Sequence, residues 1–360
     1  MLTQATHNLR QGLKGGTMKT MRLYAPRRMR LEDVPAPAPG PGEVLVRIRA
    51  VGVCGSDVHY YLDGRIGDTL APFPFVMGHE CAGEIAALGP GVQAPPVGTP
   101  VAVDPAIPCG HCEVCLEGNP NCCPHVRFMA SPPVPGGLSE YYVHPADLCI
   151  PLPDMLDFAG GAMLEPLGVA IHALMLAKVR PGDTVAVLGG GPIGLLVLQV
   201  ALAAGAGQVY LSEPLPQRRA LAAALGASAV CDPRAQDPIA WLDEQTHGRG
   251  VDAAIEAAWG GEAVGQAVHV ARYAGRVVNV GIPREDTVTF PAHVARRKGL
   301  TLLVARRAKH VYPRAIALVQ RGVVDVRTLI THRFPLERAA EAFELVATLQ
   351  DGVVKAMVEV

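Results

Sequence analysis

The stretch Asp183-Thr-Val-Ala-Val-Leu188 runs directly into Gly189-Gly190-Gly191-Pro192-Ile193-Gly194 and then into an apolar segment reaching Ala204. A short β-branched run, glycines at G-x-G-x-x-G spacing and a helix-forming run leave such a chain few options. The strand must end in a tight turn, and the helix after it must aim its unpaired N–H groups at whatever sits above the glycines. That geometry suits a pyrophosphate. Gln208-Val-Tyr-Leu-Ser212 follows as a second strand. Glu213 at its end stands about 20 residues past the loop, where an acid can accept both ribose hydroxyls of a dinucleotide. A carboxylate there repels a 2′-phosphate, which favours NAD over NADP. Arg218 and Arg219 follow closely and read either as some tolerance of NADP or as solvated helix charges.

The alternation continues. Strands are expected at Ala229 to Cys231, Val251 to Glu256 and Arg276 to Gly281, spaced by Ala-rich helices at Pro216 to Leu225 and Ala263 to Ala271. Repeated βα units of this length mean an α/β domain with a doubly wound parallel (Rossmann) sheet. At 360 residues the chain is long enough for two domains. From Met21 to about Val103 short apolar runs, such as Gly42 to Ile48 and Glu84 to Leu88, alternate with Pro and Gly, which is punctuation for strands and turns, not long helices. Pro35 to Pro41 is a stiff connector. Asp154 to Ala177 reads as helix interrupted at Glu165-Pro166, and Tyr312 to Arg321 and Leu336 to Thr348 as helices. Val353 to Val358 is a last strand placed to rejoin the N-terminal domain. The expected division is 18–165 with 306–360, and 166–305.

Lys plus Arg number 32 against 33 for Asp plus Glu, so no basic surplus exists to neutralise phosphates. Nucleic acid and anionic membrane are therefore poor guesses as partners. Residues 1–17 carry no apolar signal region and are expected to be a disordered leader, with Met18 or Met21 as a possible start. The run Ile193 to Ala206 is shorter than the roughly 18 residues of a membrane span and is broken by Gln199. These features read as a soluble cytoplasmic protein. Nine Cys is an odd count with four crowded into 109–123, which fits metal thiolates in a reducing compartment better than a disulfide framework.

Those four, Cys109, Cys112, Cys115 and Cys123, form a Cys-x2-Cys-x2-Cys-x7-Cys lobe that can close a tetrahedral structural zinc site. Cys122 is a spare neighbour, and His111 is expected to be only a surface loop residue. A second constellation is Cys54-Gly-Ser-Asp-Val-His59 with Gly78-His79-Glu80: a thiol, two imidazoles and carboxylates in one short segment. A thiolate, an imidazole and a carboxylate are what an open zinc site takes, with a fourth position free. A lone Cys or His is usually core or surface, so the weight lies in the combination. Glu165 among apolar residues is costly to bury unless paired or metal-bound; the bland alternative is a helix-end carboxylate facing water.

These motifs, with Thr331-His332-Arg333-Phe334-Pro335-Leu336, together resemble the zinc-dependent medium-chain dehydrogenases, from Met18 to Val360. Tyr60-Tyr61-Leu-Asp-Gly64-Arg65-Ile66-Gly67-Asp68 and Glu165-Pro-Leu-Gly-Val-Ala-Ile-His172 resemble its polyol branch, the sorbitol and xylitol dehydrogenases. The resemblance implies a mainly β GroES-like catalytic domain beside the Rossmann domain. It implies two zinc ions per chain, with Cys54, His79 and Glu80 holding the catalytic one and Glu165 binding directly or through water. Asp57 would orient the imidazole, and Ser56 and His59 would relay a proton. Gly189, Gly191, Pro192, Ile193, Gly194, Glu213 and Arg218 would bind NAD, while Val280, Ile282 and Arg306 or Arg307 would line nicotinamide and substrate. Tyr60 and Arg65 would shape the substrate pocket, and a homotetramer is implied.

An alcohol, with a pKa of about 16, seldom ionises at neutral pH, and zinc can lower the pKa of a bound water or alcohol by many units. The implied activity is reversible oxidation of a polyol secondary hydroxyl to a ketose with NAD⁺, sorbitol to fructose or xylitol to xylulose. L-threonine 3-dehydrogenase, similar in ligands and fold, is the neighbouring alternative. A non-catalytic zinc-lobe interaction protein would need only Cys109 to Cys123 and leaves the other motifs unexplained.

Overall fold

The computed structural model describes residues 16–259, 261–285 and 287–360. Two compact units emerge: one runs through Glu165 and resumes at Ile330–Val360, and the other is Pro166–Leu329. The expected leader falls outside the described residues through position 15, and Thr17 already opens a strand, Thr17–Ala25, paired antiparallel with Arg28–Pro35.

Pro166–Leu329 is built on a six-stranded, all-parallel sheet. Its order is Ala229–Cys231, Gln208–Ser212, Thr184–Leu188, Val251–Glu256, Ala271–Asn279 and Thr301–Val304. Val185 to Leu188 are buried without alternation, as a parallel strand covered on both faces requires. The chain winds outward from Thr184–Leu188 and then back to Val251–Glu256, so the order reverses between those two neighbours, the crevice where such sheets take ligands. Helices Pro192–Ala203, Pro216–Ala224 and Gly261–Val270 fall where expected, and Pro238–Gln245 and Ala292–Lys298 fill crossovers that the sequence pattern left unassigned.

The second crossing between units is at 329/330, not at 305/306 as expected. The reason is packing. Gln199 bonds both ways with the Asp325 backbone, at 3.1 Å as donor and 2.6 Å as acceptor, and Val311 lies so close to Gly168 that an added Cβ would meet its Cγ2 at 2.7 Å. Helix Tyr312–Gln320 therefore belongs with Pro166–Leu329.

The other unit is mainly β. Its seven-stranded sheet runs Cys149–Pro151, Pro100–Val103, Glu80–Leu88, Glu43–Gly52, Lys355–Glu359, Ile330–Pro335, with Tyr141–Pro145 also paired to Glu43–Gly52. Lys355–Glu359 joins Glu43–Gly52 antiparallel, as the last strand was expected to do. Val46, Ile48, Met77, Leu138, Phe343 and Val358 share its core, each such side chain contributing about 1.5–3 kcal/mol on burial.

Two local readings need correction. Gly55–Asp63, inside the region read as strands and turns, is an α-helix ended by Gly64 at φ 68°; nine residues give too short a pattern for its period to show. Asp154 to Ala177 is not broken at Glu165-Pro166 but at Met163, between Phe158–Ala162 and Leu164–Ala177. Pro166 then falls in a first turn, where its missing N–H costs nothing. Phe158–Ala177 is long and apolar enough to cross a membrane, but 78% of it is buried within the protein, as in a core helix.

Candidate functional site

Cys54 is the N-cap of Gly55–Asp63, so its sulfur stands at the partially positive end of a helix, which suits an anionic ligand. Gly78 at φ 93° turns the chain just ahead of His79 and of Glu80, the first residue of the strand Glu80–Leu88. Ligand atoms of Cys54, His79 and Glu80 all lie within 4.8 Å of one another. Asp57, one turn into the helix and buried, holds its Oδ2 3.2 Å from His79 Nδ1 and accepts the Gly78 N–H at 3.3 Å. A carboxylate at Nδ1 keeps the proton there and leaves Nε2 as a donor atom for a metal. Burial works to lower the His79 pKa, but the Asp57 carboxylate and then the Cys54 thiolate outweigh it and hold the ring well above its ordinary value. The Ser56 hydroxyl donates to Cys54 Sγ at 3.3 Å, and His59 lies three residues on along the same helix face, buried.

Behind Glu80 stands a residue that the sequence did not single out. Lys355 Nζ is 2.7 Å from both Glu80 oxygens and also donates to the Val53 carbonyl at 3.1 Å. Lys355 is 2% and Glu80 1% exposed, so this is a fully desolvated ion pair. Gly52 makes room for it, since a Cβ there would lie 2.0 Å from Glu80 Oε2. Glu165 is buried too, but it is outside the 4.8 Å set. Burial, with Glu80 adding, pushes its carboxyl up to about 7 against the pull of His79 and Lys355. Asp104, also unanticipated, is raised to about 6 by burial. The donor set of one sulfur, one imidazole nitrogen and one carboxylate, with ligand lengths of about 2.0–2.3 Å, fits zinc with a position left open.

The second cluster is Cys109, Cys112, Cys115 and Cys123, again mutually within 4.8 Å. Its loop folds backbone donors onto sulfur: Cys112 N–H reaches Cys109 Sγ at 3.4 Å, and Cys109 N–H reaches Cys123 Sγ at 3.5 Å. Cys123 is buried and Cys122 exposed, which decides between them. His111 is exposed, its Nδ1 2.7 Å from the Cys109 carbonyl of its own loop. Four thiols and no free position fit a closed zinc site that does no chemistry.

In the glycine turn, Gly189 has φ 105° and an added Cβ would strike the Ala257 carbonyl at 2.6 Å. A Cβ on Gly194 would lie 1.9 Å from Gly189 O, so the third glycine is what lets helix Pro192–Ala203 sit against its strand. In front of Gly191, the N-cap, the space is open as far as the Arg218 guanidinium, 3.6 Å from where a Cβ would be. The bland reading of Arg218 as a solvated charge fails: it is 7% exposed, with burial lowering its pKa. Arg219 instead braces the turn, donating to the carbonyls of Glu213 and Pro214 at 2.8 Å and pairing with Asp232 at 2.9 Å. The Glu213 carboxylate accepts N–H groups of Gly190 at 2.7 Å and Leu215 at 2.8 Å. A carboxylate has about four lone-pair sites, so acceptor capacity remains for ribose hydroxyls. An open helix N-terminus, a buried guanidinium and this acid fit a dinucleotide.

Residues 40–154 match the alcohol dehydrogenase GroES-like domain and residues 192–321 the zinc-binding dehydrogenase domain. Sorbitol dehydrogenase of Bacillus subtilis is 36% identical over 98% of this chain and 99% of its own length, and D-xylulose reductase A of Aspergillus niger is 38% identical over 88% and 90%. The chain belongs to the zinc-dependent medium-chain dehydrogenases, in their polyol branch. A solved Escherichia coli oxidoreductase of unknown specificity, 33% identical, matches with TM-score 0.90 over 95% of this chain and 99% of that one. Both domains expected from the sequence are thus present, and zinc and NAD are the cofactors of this dehydrogenase.

Other expected residues fall on this dehydrogenase as follows. Tyr60 is 3% exposed and packs edge-on to Phe75 in the core. Arg65 lies on a small exposed hairpin, 4.0 Å from Asp68. Val280 is half-buried, Ile282 is exposed, and of the two candidate arginines Arg306 is exposed and Arg307 half-buried at φ 53°.

Proposed function

We propose that the chain oxidises a secondary hydroxyl of a polyol to a ketose with NAD⁺, sorbitol to fructose or xylitol to xylulose, with Cys54, His79 and Glu80 as the catalytic zinc ligands. The observation that carries it is the Cys54, His79, Glu80 cluster, open and backed by Asp57 and Lys355, in a chain whose named relatives act on sorbitol and D-xylulose. The balance is one secondary alcohol and NAD⁺ giving one ketone, NADH and a proton. Zinc, when bound, supplies Lewis acidity that brings an alcohol's ionisation within reach of neutral pH. Ser56 and His59 take the hydroxyl proton and pass it on toward solvent. Glu165, buried and outside the ligand cluster, would reach the metal directly or through water. Gly189, Gly191 and Gly194 with the helix at Pro192 and Ile193 receive the pyrophosphate; Glu213 and Arg218 hold the adenosine side; Val280, Ile282 and Arg306 face nicotinamide and substrate; Tyr60 and Arg65 shape the pocket.

A homotetramer in the cytoplasm completes this reading. The exposed edge strand Thr301–Val304, with Leu302 41% and Val304 76% exposed, supports association of like subunits. The test is NADH formation, followed by its near-ultraviolet absorbance, across sorbitol, xylitol, other pentitols, threonine and simple alcohols, with and without a zinc chelator. Chelator-sensitive polyol turnover with NAD⁺ is expected. Turnover of threonine alone would move the chain to the neighbouring activity, and no turnover of any alcohol by zinc-loaded protein would refute the proposal.

A further inference from the structure

Glu256 ends the strand Val251–Glu256, is 1% exposed, and takes no part in the chemistry above. Its two carboxylate oxygens are spent on main-chain donors from two different loops. Oε1 accepts the Ala258 N–H at 2.7 Å and Oε2 the Gly281 N–H at 3.0 Å, while its own carbonyl accepts Val280 N–H at 2.9 Å. The fit admits no side chain, since a Cβ on Gly281 would lie 2.0 Å from Ala258 O and 2.5 Å from Glu256 Oε1. The segment it grips on one side is also the one that Gly189 rests on: a Cβ there would meet Ala257 O at 2.6 Å and Ala258 N at 3.0 Å. Ala257 in turn donates to Leu188 O at 2.8 Å. One buried carboxylate thus ties the segments that follow two neighbouring strands, Val251–Glu256 and Ala271–Asn279, and the first of these segments is itself bonded to the end of Thr184–Leu188, on the rim beside which the strand order reverses.

We infer that Glu256 is a positioning residue for the nucleotide: by bonding Ala258 and Gly281 it sets the glycine turn and the Val280–Ile282 wall in the spacing that NAD needs. Burying a carboxyl group is costly, and its bonds to two backbone donors recover only part of that cost while they hold the two loops in place. An apolar residue would fill the same space without holding either loop. The inference rests on the nucleotide reading of Gly189 to Gly194.

The test uses zinc-loaded full chain. Glu256→Ala removes both acceptors and Glu256→Gln keeps one carbonyl oxygen. NADH dissociation constants are measured by fluorescence titration, with KM for NAD⁺, kcat and melting temperature alongside. The expected result is an NADH dissociation constant and a KM for NAD⁺ raised about tenfold or more in Glu256→Ala, with about threefold in Glu256→Gln and kcat at saturating NAD⁺ little changed. A bracing role for the fold alone would lower the melting temperature and leave these constants at their wild-type values, which would overturn the inference. If Glu256→Ala does not fold, Glu256→Gln decides: NADH affinity equal to wild type overturns it. Failure of the wild type itself to bind NADH would instead sink the nucleotide reading, a distinguishable outcome.

Discussion

The two metal clusters solve the same geometric problem by opposite means. The four-Cys lobe gathers its ligands from 15 consecutive positions, Cys109 to Cys123, and folds N–H groups of its own loop onto the sulfurs of Cys109 and Cys123. The Cys54, His79, Glu80 cluster takes its ligands from a helix start and a strand start. It then leans on Asp57, and on Lys355 from a strand 275 residues away from Glu80. The first is a closed clamp. The second sets the buried Lys355 against the Glu80 carboxylate behind it, and it leaves a coordination position for substrate. A loop can make the one; the other needs the whole N-terminal unit folded, with its last strand in place.

The sharpest break in that comparison comes from Cys54→Ala. Loss of the metal's Lewis acidity removes several kcal/mol of barrier lowering, about a thousandfold or more in turnover, while one zinc per chain stays bound in the lobe. Metal analysis and NADH formation on the same sample check both halves. Cys112→Ser should do the converse. The closed site loses affinity and the protein several kcal/mol of stability, read as a lower melting temperature, while molecules still folded at low temperature keep polyol turnover.

Lys355→Met sharpens the comparison further. Without metal it strands Glu80 as an unpaired buried carboxylate, at a cost of about 3–5 kcal/mol. With zinc bound, a cation again faces Glu80 and the loss shrinks. Melting temperatures with and without zinc should show the larger deficit in metal-free protein, and equal deficits would argue that Lys355 serves the sheet alone.

Much of this was readable locally. The nucleotide turn and the lobe are short-range patterns carried by spacing, so Gly189 to Gly194 and Cys109 to Cys123 could be singled out before any fold was known. Lys355 and Glu256 could not. A lysine in Val353-Val-Lys-Ala-Met reads as a solvated edge residue, and a glutamate closing an apolar strand reads as its solvent end, until the fold buries each against a partner. The return of the chain at Ile330, where Ala305 was expected to mark the boundary, was hidden for the same reason: the contacts of Gln199 with Asp325 and Gly168 with Val311 are tertiary.

The smallest expected effect concerns pH. Burial pushes the Glu256 carboxyl from 4.5 up to about 7, with the Ala258 and Gly281 N–H groups opposing. The folded state therefore holds this proton more tightly than the unfolded chain does. The group's stabilising contribution is full below about 4.5 and is lost as pH rises through about 7. The unfolding free energy of Glu256→Gln minus that of wild type should accordingly grow by roughly 1–3 kcal/mol between pH 5 and 8, measured by urea denaturation of the two proteins in parallel.

The most direct test of the division of labour between the clusters is a graded chelator titration of the wild-type enzyme, reading zinc per chain and NAD⁺-linked polyol turnover at each step. The account predicts that turnover falls in step with the first zinc lost, is gone when one zinc per chain remains, and returns on adding zinc, with the remaining zinc lost only as the protein unfolds. Full turnover with a single lobe-bound zinc per chain would contradict it.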